Sequence, residues 1–223
     1  MQVRARRTRG LTLHLDRLEA ANRELFGARL DRERTLELMR QAIRDTADAS
    51  LRVYFFESSD EPMTAVTVRP PGSVSAPQRL QTVRYLRPEP HLKHLATEQA
   101  FYARLARRNG FDDALLTGGD SLIAETATAN ICFSDGAGFV WPEAPQLEGI
   151  TKQLLERRLA ELDVPTTRAA VSVQDVDSFA GAFVANARGV AAVSQIDDTQ
   201  LQVDEERLEL LADAYASVPW DAI

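Results

Sequence analysis

A chain of 223 residues with 44% apolar content can bury a substantial core, and it lies near the size at which one domain divides into two. Its net charge of −7 argues against general nucleic-acid binding. The basic cluster in the first ten residues (Arg4, Arg6, Arg7, Arg9) therefore reads as a solvated strand edge. No apolar run approaches the ~20 residues of a membrane helix, and none follows the basic start as a signal peptide would. Cys132 stands alone, so the sequence offers neither a disulfide framework nor a thiol pair for a metal. The chain reads as a cytoplasmic protein.

In chain order, an apolar stripe of Leu11, Leu15, Leu18, Leu25 and Phe26 ending at Gly27 predicts a helix over 11–28. A second helix is expected over 31–45, with Leu36, Met39 and Ile43 inward. The period then changes to that of strands, expected over 52–57 and 63–69 and joined by a hairpin turn through SSDEP. PPGSVSAPQ, residues 70–78, disfavours helix and sheet and reads as a linker. We place the domain boundary there, with a small α/β domain over 1–75 and a larger one over 76–223.

The larger part should open with a strand over 80–86 and the turn RPEP, then a helix over 92–109 stopped by Gly110. Strands are expected over 113–116, 121–125, 130–134 and 138–141. An amphipathic helix starts near Thr151. The remainder alternates: a strand over 167–171, a helix over 172–179, strands over 182–185 and 190–196, and a last helix over 204–216. The overall class is α/β (α+β).

Only two of the 26 basic residues are lysines, Lys93 and Lys152, which leaves 24 arginines. A guanidinium stays protonated and cannot serve as an amine nucleophile, so amine chemistry here falls to those two. Lys93 lies in RPEPHLKHLATEQ, where a proline turn meets the expected helix start, with His91 and His94 beside it. A reactive amine needs a lowered pKa, which cationic neighbours or desolvation supply; the same position also suits an ordinary surface lysine. The HLKH spacing has no acidic or thiol ligand close in sequence, and no metal site is read from it.

Glu125, in LIAETATANICF, stands where one strand ends and another begins five residues later at Asn130. Facing a pyridine nitrogen, such a carboxylate would keep that nitrogen protonated; alone, it is equally a turn glutamate. In LEGITKQLL, Gly149 permits close approach, and Ile150 and Thr151 open a helix whose unpaired N–H groups favour an anion. By itself that is a helix cap.

Taken together, these segments resemble the class IV (fold type IV) enzymes dependent on pyridoxal 5′-phosphate (PLP), which include branched-chain and D-amino acid aminotransferases and aminodeoxychorismate lyase. HLDRL at 14–18 resembles the family's early helix motif, and the resemblance gives Arg17 to the cofactor phosphate. KHL at 93–95 resembles the segment bearing the Schiff-base lysine, above all in the lyase branch. ETATANICF resembles the segment whose glutamate meets the pyridine nitrogen, with Asn130 five positions later. EGITK resembles the phosphate-binding GITR, which places Gly149, Ile150 and Thr151 at the phosphate and leaves Lys152 as a helix-start cation where arginine is usual. VANARGVAAV resembles the later phosphate loop, with Asn186 where serine or threonine often sits. The likeness runs over residues 11–197.

The resemblance implies a small N-terminal α/β domain, here without its usual first strand, and a larger C-terminal mixed-sheet domain. It also implies a homodimer that uses PLP, a small-molecule amino donor and a keto-acid acceptor, without nucleic acid or membrane. Lys93 would then hold the cofactor and move the substrate proton, and Glu125 would stabilise the carbanion. Arg188 could reach a substrate carboxylate, although a surface role before Gly189 fits it equally. Amino transfer is the leading activity. An aminodeoxychorismate-type lyase and a non-catalytic descendant serving binding or assembly are the alternatives. Glu98, five positions after Lys93, replaces the tyrosine of branched-chain transaminases and disfavours that subgroup.

Overall fold

A computed structural model describes residues 1–57, 62–74, 76–95 and 97–223. Most of the turn expected at SSDEP, residues 58–61, lies outside the described residues, as do Ser75 of the expected linker and Ala96 of the expected helix. The chain forms two compact units, Met1–Ser73 with Val218–Ile223, and Val74–Ser217.

The first unit contains β1 (Gln2–Val3), β2 (Arg7–Arg9), α1 (Leu11–Phe26), α2 (Arg32–Ile43), β3 (Ala49–Phe56), β4 (Met63–Arg69) and the last strand, β14 (Trp220–Ala222). β3 pairs antiparallel with both β1 and β4, and β14 pairs antiparallel with β2. That last pairing is why residues 218–223, at the far end of the chain, join this unit rather than the larger one. Asp31 caps α2 by accepting from the Arg34 amide at 2.8 Å, satisfying one donor that the helix start leaves unpaired. Met39 and Ile43 of α2 bury against Val3, Ala49 and Leu51, so the predicted inward face of that helix forms the unit's core.

The second unit is built on β5 (Gln78–Arg84), β6 (Asp113–Thr117), β7 (Ile123–Thr126), β8 (Asn130–Ser134), β9 (Phe139–Pro142), β10 (Thr166–Ala169), β11 (Gly181–Asn186), β12 (Gly189–Ile196) and β13 (Thr199–Gln200). They make one mixed sheet in the order β10-β9-β8-β11-β12-β5-β6-β7, with β13 on β12. Three pairings are parallel, β10/β9, β12/β5 and β5/β6, and the others are antiparallel. Helices α3 (Thr97–Arg108), α4 (Ile150–Glu161) and α5 (Glu205–Ala216) accompany it, with a 3-10 helix at Val173–Ser178.

Strand period explains the two cores. On β8, Ile131 and Phe133 enter one cluster with Leu80, Leu115 and Val193, while Cys132 between them points to the other, with Trp141, Leu155 and Leu211. Both faces are covered, so β6, β7, β8 and β9 are buried along their whole length. Burial pushes the Cys132 thiol well above its ordinary range and leaves it inert as a nucleophile.

Two expectations need correction. α3 begins at Thr97, not at residue 92, so Lys93 is not at a helix start. Pro88 and Pro90 disfavour helical geometry in the residues before them, and the chain reaches α3 through a turn closed by the Leu92 amide on Glu89 O at 2.9 Å. The helix expected over 172–179 is a 3-10 turn, capped by the Ser172 hydroxyl on the Gln174 amide.

Candidate functional site

Glu125 lies next to the end of β7, at the point where the sheet hands over to the loop 127–129. Three donors meet its carboxylate. Arg87 Nη2 lies 3.0 Å from Oε1, Gln99 Nε2 donates to the same oxygen at 3.5 Å, and the Leu147 amide donates to Oε2 at 3.4 Å. Burial pushes this carboxyl above its ordinary range, and the charge of Arg87, the Leu147 amide and the charge of Lys93 pull against that, in decreasing order. The geometry is that of an ion pair, yet desolvation outweighs the attraction. With its side chain only 8% exposed, Glu125 keeps its carboxyl above the ordinary range.

Lys93 is exposed, on the irregular stretch between β5 and α3. Its neighbour Leu92 is buried and anchors that stretch. On its other side, His94 Nε2 donates to Pro88 O at 2.7 Å; a carbonyl can only accept, so Nε2 carries the proton. The amine is therefore presented from a turn tied down on both sides, and its charge acts on Glu125.

Asn130 opens β8 and is buried. Its Nδ2 donates to Gln146 Oε1 and to Leu147 O, both at 2.8 Å. Leu147 is thus held at both ends, its carbonyl by Asn130 and its amide by Glu125. The Gln146 amide in turn donates to Pro142 O. This framework brings the chain at Gly149 against Asn130 and sets the start of α4, Ile150 and Thr151, both buried, at that place. Gly149 supplies no capping side chain to the first turn of α4.

The loop between Glu125 and Asn130 is organised by Asp113, a residue that belongs to none of the sequence motifs. This buried carboxylate accepts through Oδ2 from Thr126 Oγ1 (3.0 Å), Thr128 N (3.1 Å) and Thr128 Oγ1 (2.7 Å). Thr128 O then receives Asn186 Nδ2 at 3.3 Å, and Asn186 Oδ1 accepts from the Arg188 amide at 2.8 Å, closing the β11–β12 turn. Arg188 itself is exposed. Arg17 is a half-buried residue of α1 in the first unit.

The structure thus joins Glu125 and Asn130 through Leu147, packs Gly149 against Asn130, ties Asn186 to the intervening loop at Thr128, and relates Lys93 to Glu125 through charge. Arg87, Gln99, Gln146 and Asp113 were missed. Arg87 is one of many arginines, and the others fall at no recognisable spacing. Lys152 is fully buried, with Nζ 3.1 Å from Glu148 Oε1 and 5.9 Å from the centre of the Trp141 ring. Glu98 is exposed and accepts the Tyr85 phenol at 2.9 Å; burial, reinforced by Glu98, pushes that phenol up to about 12.

A family sequence model described as amino-transferase class IV matches residues 1–196. No curated protein sequence matches the chain. Among solved structures, a hypothetical aminotransferase from Mycobacterium tuberculosis, in a form with alpha-ketoglutarate and PMP bound, is similar at TM-score 0.85 and 20% identity, over 97% of this chain and 86% of that one. A branched-chain aminotransferase from the archaeon Thermoproteus uzoniensis, with norvaline, gives 0.85 and 19% over 96% and 82%. A Legionella pneumophila protein described as a 4-amino-4-deoxychorismate lyase gives 0.84 and 18% over 96% and 88%. At these identities the likeness is one of fold.

Proposed function

Since the chain belongs to the amino-transferase class IV family, we propose that it is a PLP-dependent aminotransferase acting on an amino acid or a related amine, with a keto acid as acceptor. The observation that carries this reading is the pairing of Lys93, an exposed amine on a pinned turn, with Glu125, a buried carboxylate on which its charge acts.

The residues fit the cofactor. A carboxylate offers about four lone-pair sites, and two of the three donors at Glu125 stand at 3.4 and 3.5 Å, so an N–H can still be accommodated. When bound, PLP supplies an aldehyde that condenses with amines and a ring that accepts electrons from the substrate Cα. Lys93 would hold it covalently and, once displaced, carry the proton to and from the substrate Cα. Glu125 would hold a proton on the ring nitrogen. The backbone at Ile150 and Thr151 would take the phosphate through helix-start donors, with Asn186 as a further anchor. Asn130 and Gly149 shape that helix start. Arg188 is assigned to the substrate carboxylate on its charge and its place in the β11–β12 turn.

Leu95, Phe101 and Leu105 are large apolar side chains exposed on and beside α3. They support a homodimer, in which such side chains would be covered. No described helix is long and apolar enough to cross a membrane.

A second reading, an aminodeoxychorismate-type lyase, is favoured by the sequence KHL at 93–95. The test begins with borohydride reduction of the protein incubated with PLP, followed by peptide mapping. A single phosphopyridoxyl group on Lys93 is expected, and its absence, together with no visible absorption band, sinks both readings in favour of a binding or assembly role. Product analysis then separates them, because pyruvate released without an amino acceptor marks the lyase.

A further inference from the structure

Arg87 has no part in the roles above, yet its side chain is only 3% exposed. It follows β5 closely and reaches two acceptors with the same nitrogen: Nη2 lies 3.0 Å from Glu125 Oε1 and donates to Pro90 O at 2.8 Å. Pro90 belongs to the turn that leads into Lys93. Among the described residues, Nε of Arg87 is buried without a hydrogen-bond partner. A guanidinium so enclosed is held by the charge it meets, since burying it unpaired would be strongly unfavourable.

We propose that Arg87 is a positioning residue: one buried guanidinium nitrogen, shared between Glu125 Oε1 and Pro90 O, fixes the carboxylate and the Lys93-bearing turn in a single arrangement. The proposal rests on the reading of Lys93 and Glu125 as the cofactor's partners and adds the group that registers one against the other.

The charges acting most strongly on Glu125 are Arg87 and then Lys93, and the neutral donors at its oxygens are the Leu147 amide and Gln99. Burial alone would favour the neutral acid, and Arg87 is the main force against it. Lys93 is exposed, so solvent screens its effect. Without Arg87, Glu125 would take up a proton at higher pH, and a neutral acid no longer favours a protonated ring nitrogen. The turn would also lose the side-chain bond at Pro90 that Arg87 provides.

The test compares the wild-type chain, Arg87→Met, Arg87→Lys and Arg87→Met/Glu125→Gln, all without cofactor. Infrared spectra follow the carbonyl band of a neutral buried carboxylic acid as pH is raised, and hydrogen exchange is read at the Leu92 amide. Arg87→Met should raise the midpoint of that band by about one pH unit or more and speed Leu92 exchange about tenfold, that is by about 1.4 kcal/mol of opening free energy. Arg87→Lys should restore part of the midpoint, and the double variant should lack the band, which assigns it to Glu125. If Arg87→Met does not fold, Arg87→Gln keeps a neutral donor of similar reach. An unchanged midpoint or an unchanged exchange rate overturns the proposal. Should the wild-type chain form no borohydride-stable adduct at Lys93, the functional reading falls, while the titration and exchange still decide the coupling of Arg87 to Glu125.

Discussion

Asn130 Oδ1 fills the space that a side chain at position 149 would need, so that a Cβ on Gly149 would overlap it. Both residues are fixed from elsewhere: Asn130 by β8 and its bonds to Gln146 and Leu147, Gly149 by the start of α4. Neither can yield without shifting the other. Gly149→Ala should therefore lower stability by about 1–3 kcal/mol, as overpacking does. Thermal unfolding checks this, with a fall of several degrees in Tm expected. PLP affinity should fall with it, because the displaced segment carries Ile150 and Thr151; an unaltered Tm would contradict the overlap.

The two lysines should separate cleanly. Lys93 is exposed, and Lys93→Ala should abolish the borohydride-stable adduct. Lys152 is fully buried and should resist labelling in the folded chain. Its truncation in Lys152→Ala should cost about 2–4 kcal/mol, chiefly through the cavity left beside Trp141. Lys152→Met keeps the volume and removes a buried charge, so it should be near neutral or stabilising. Denaturant titration of the two Lys152 variants tests whether volume or charge is what the position requires.

Glu125 gives a pH dependence of definite sign. Burial raises its folded pKa above the unfolded value, so its contribution to stability is fully present below the unfolded pKa and is lost as pH rises through the folded one. The stability of the wild type relative to Glu125→Gln should therefore decline from about pH 4 upward and level off once Glu125 is ionised. Chemical denaturation of both proteins across that range measures it. A difference that grows with pH would mean that Arg87 outweighs burial.

Asp113 receives three hydrogen bonds from Thr126 and Thr128. Asp113→Ala leaves those donors without their acceptor and should cost about 1–3 kcal/mol. The loosened loop should show faster hydrogen exchange over residues 126–130 and weaker PLP binding, although no residue assigned to the cofactor has changed. Protection that stays at the wild-type level would remove Asp113 from the account.

The sequence by itself determined the family, the α/β class and most of the elements, because these are written in local patterns. Strand period, turn residues and the order of five short motifs survive without knowledge of distant contacts, and Lys93 stood out through the rarity of lysine among 26 basic residues. Only the tertiary structure decided how the site is held. Arg87 became visible because folding sets it 3.0 Å from Glu125, a residue 38 positions away, with both side chains buried. Asp113, Gln99 and Gln146 likewise matter through partners brought in by sheet pairing and helix packing. The two lysines parted for the same reason: both lie in short helix-associated motifs, but Lys93 precedes α3 on a proline-set turn, while Lys152 faces inward from the first turn of α4 onto Trp141. Local sequence specifies which conformations are cheap; burial and charge pairing between distant segments specify which side chains can do chemistry.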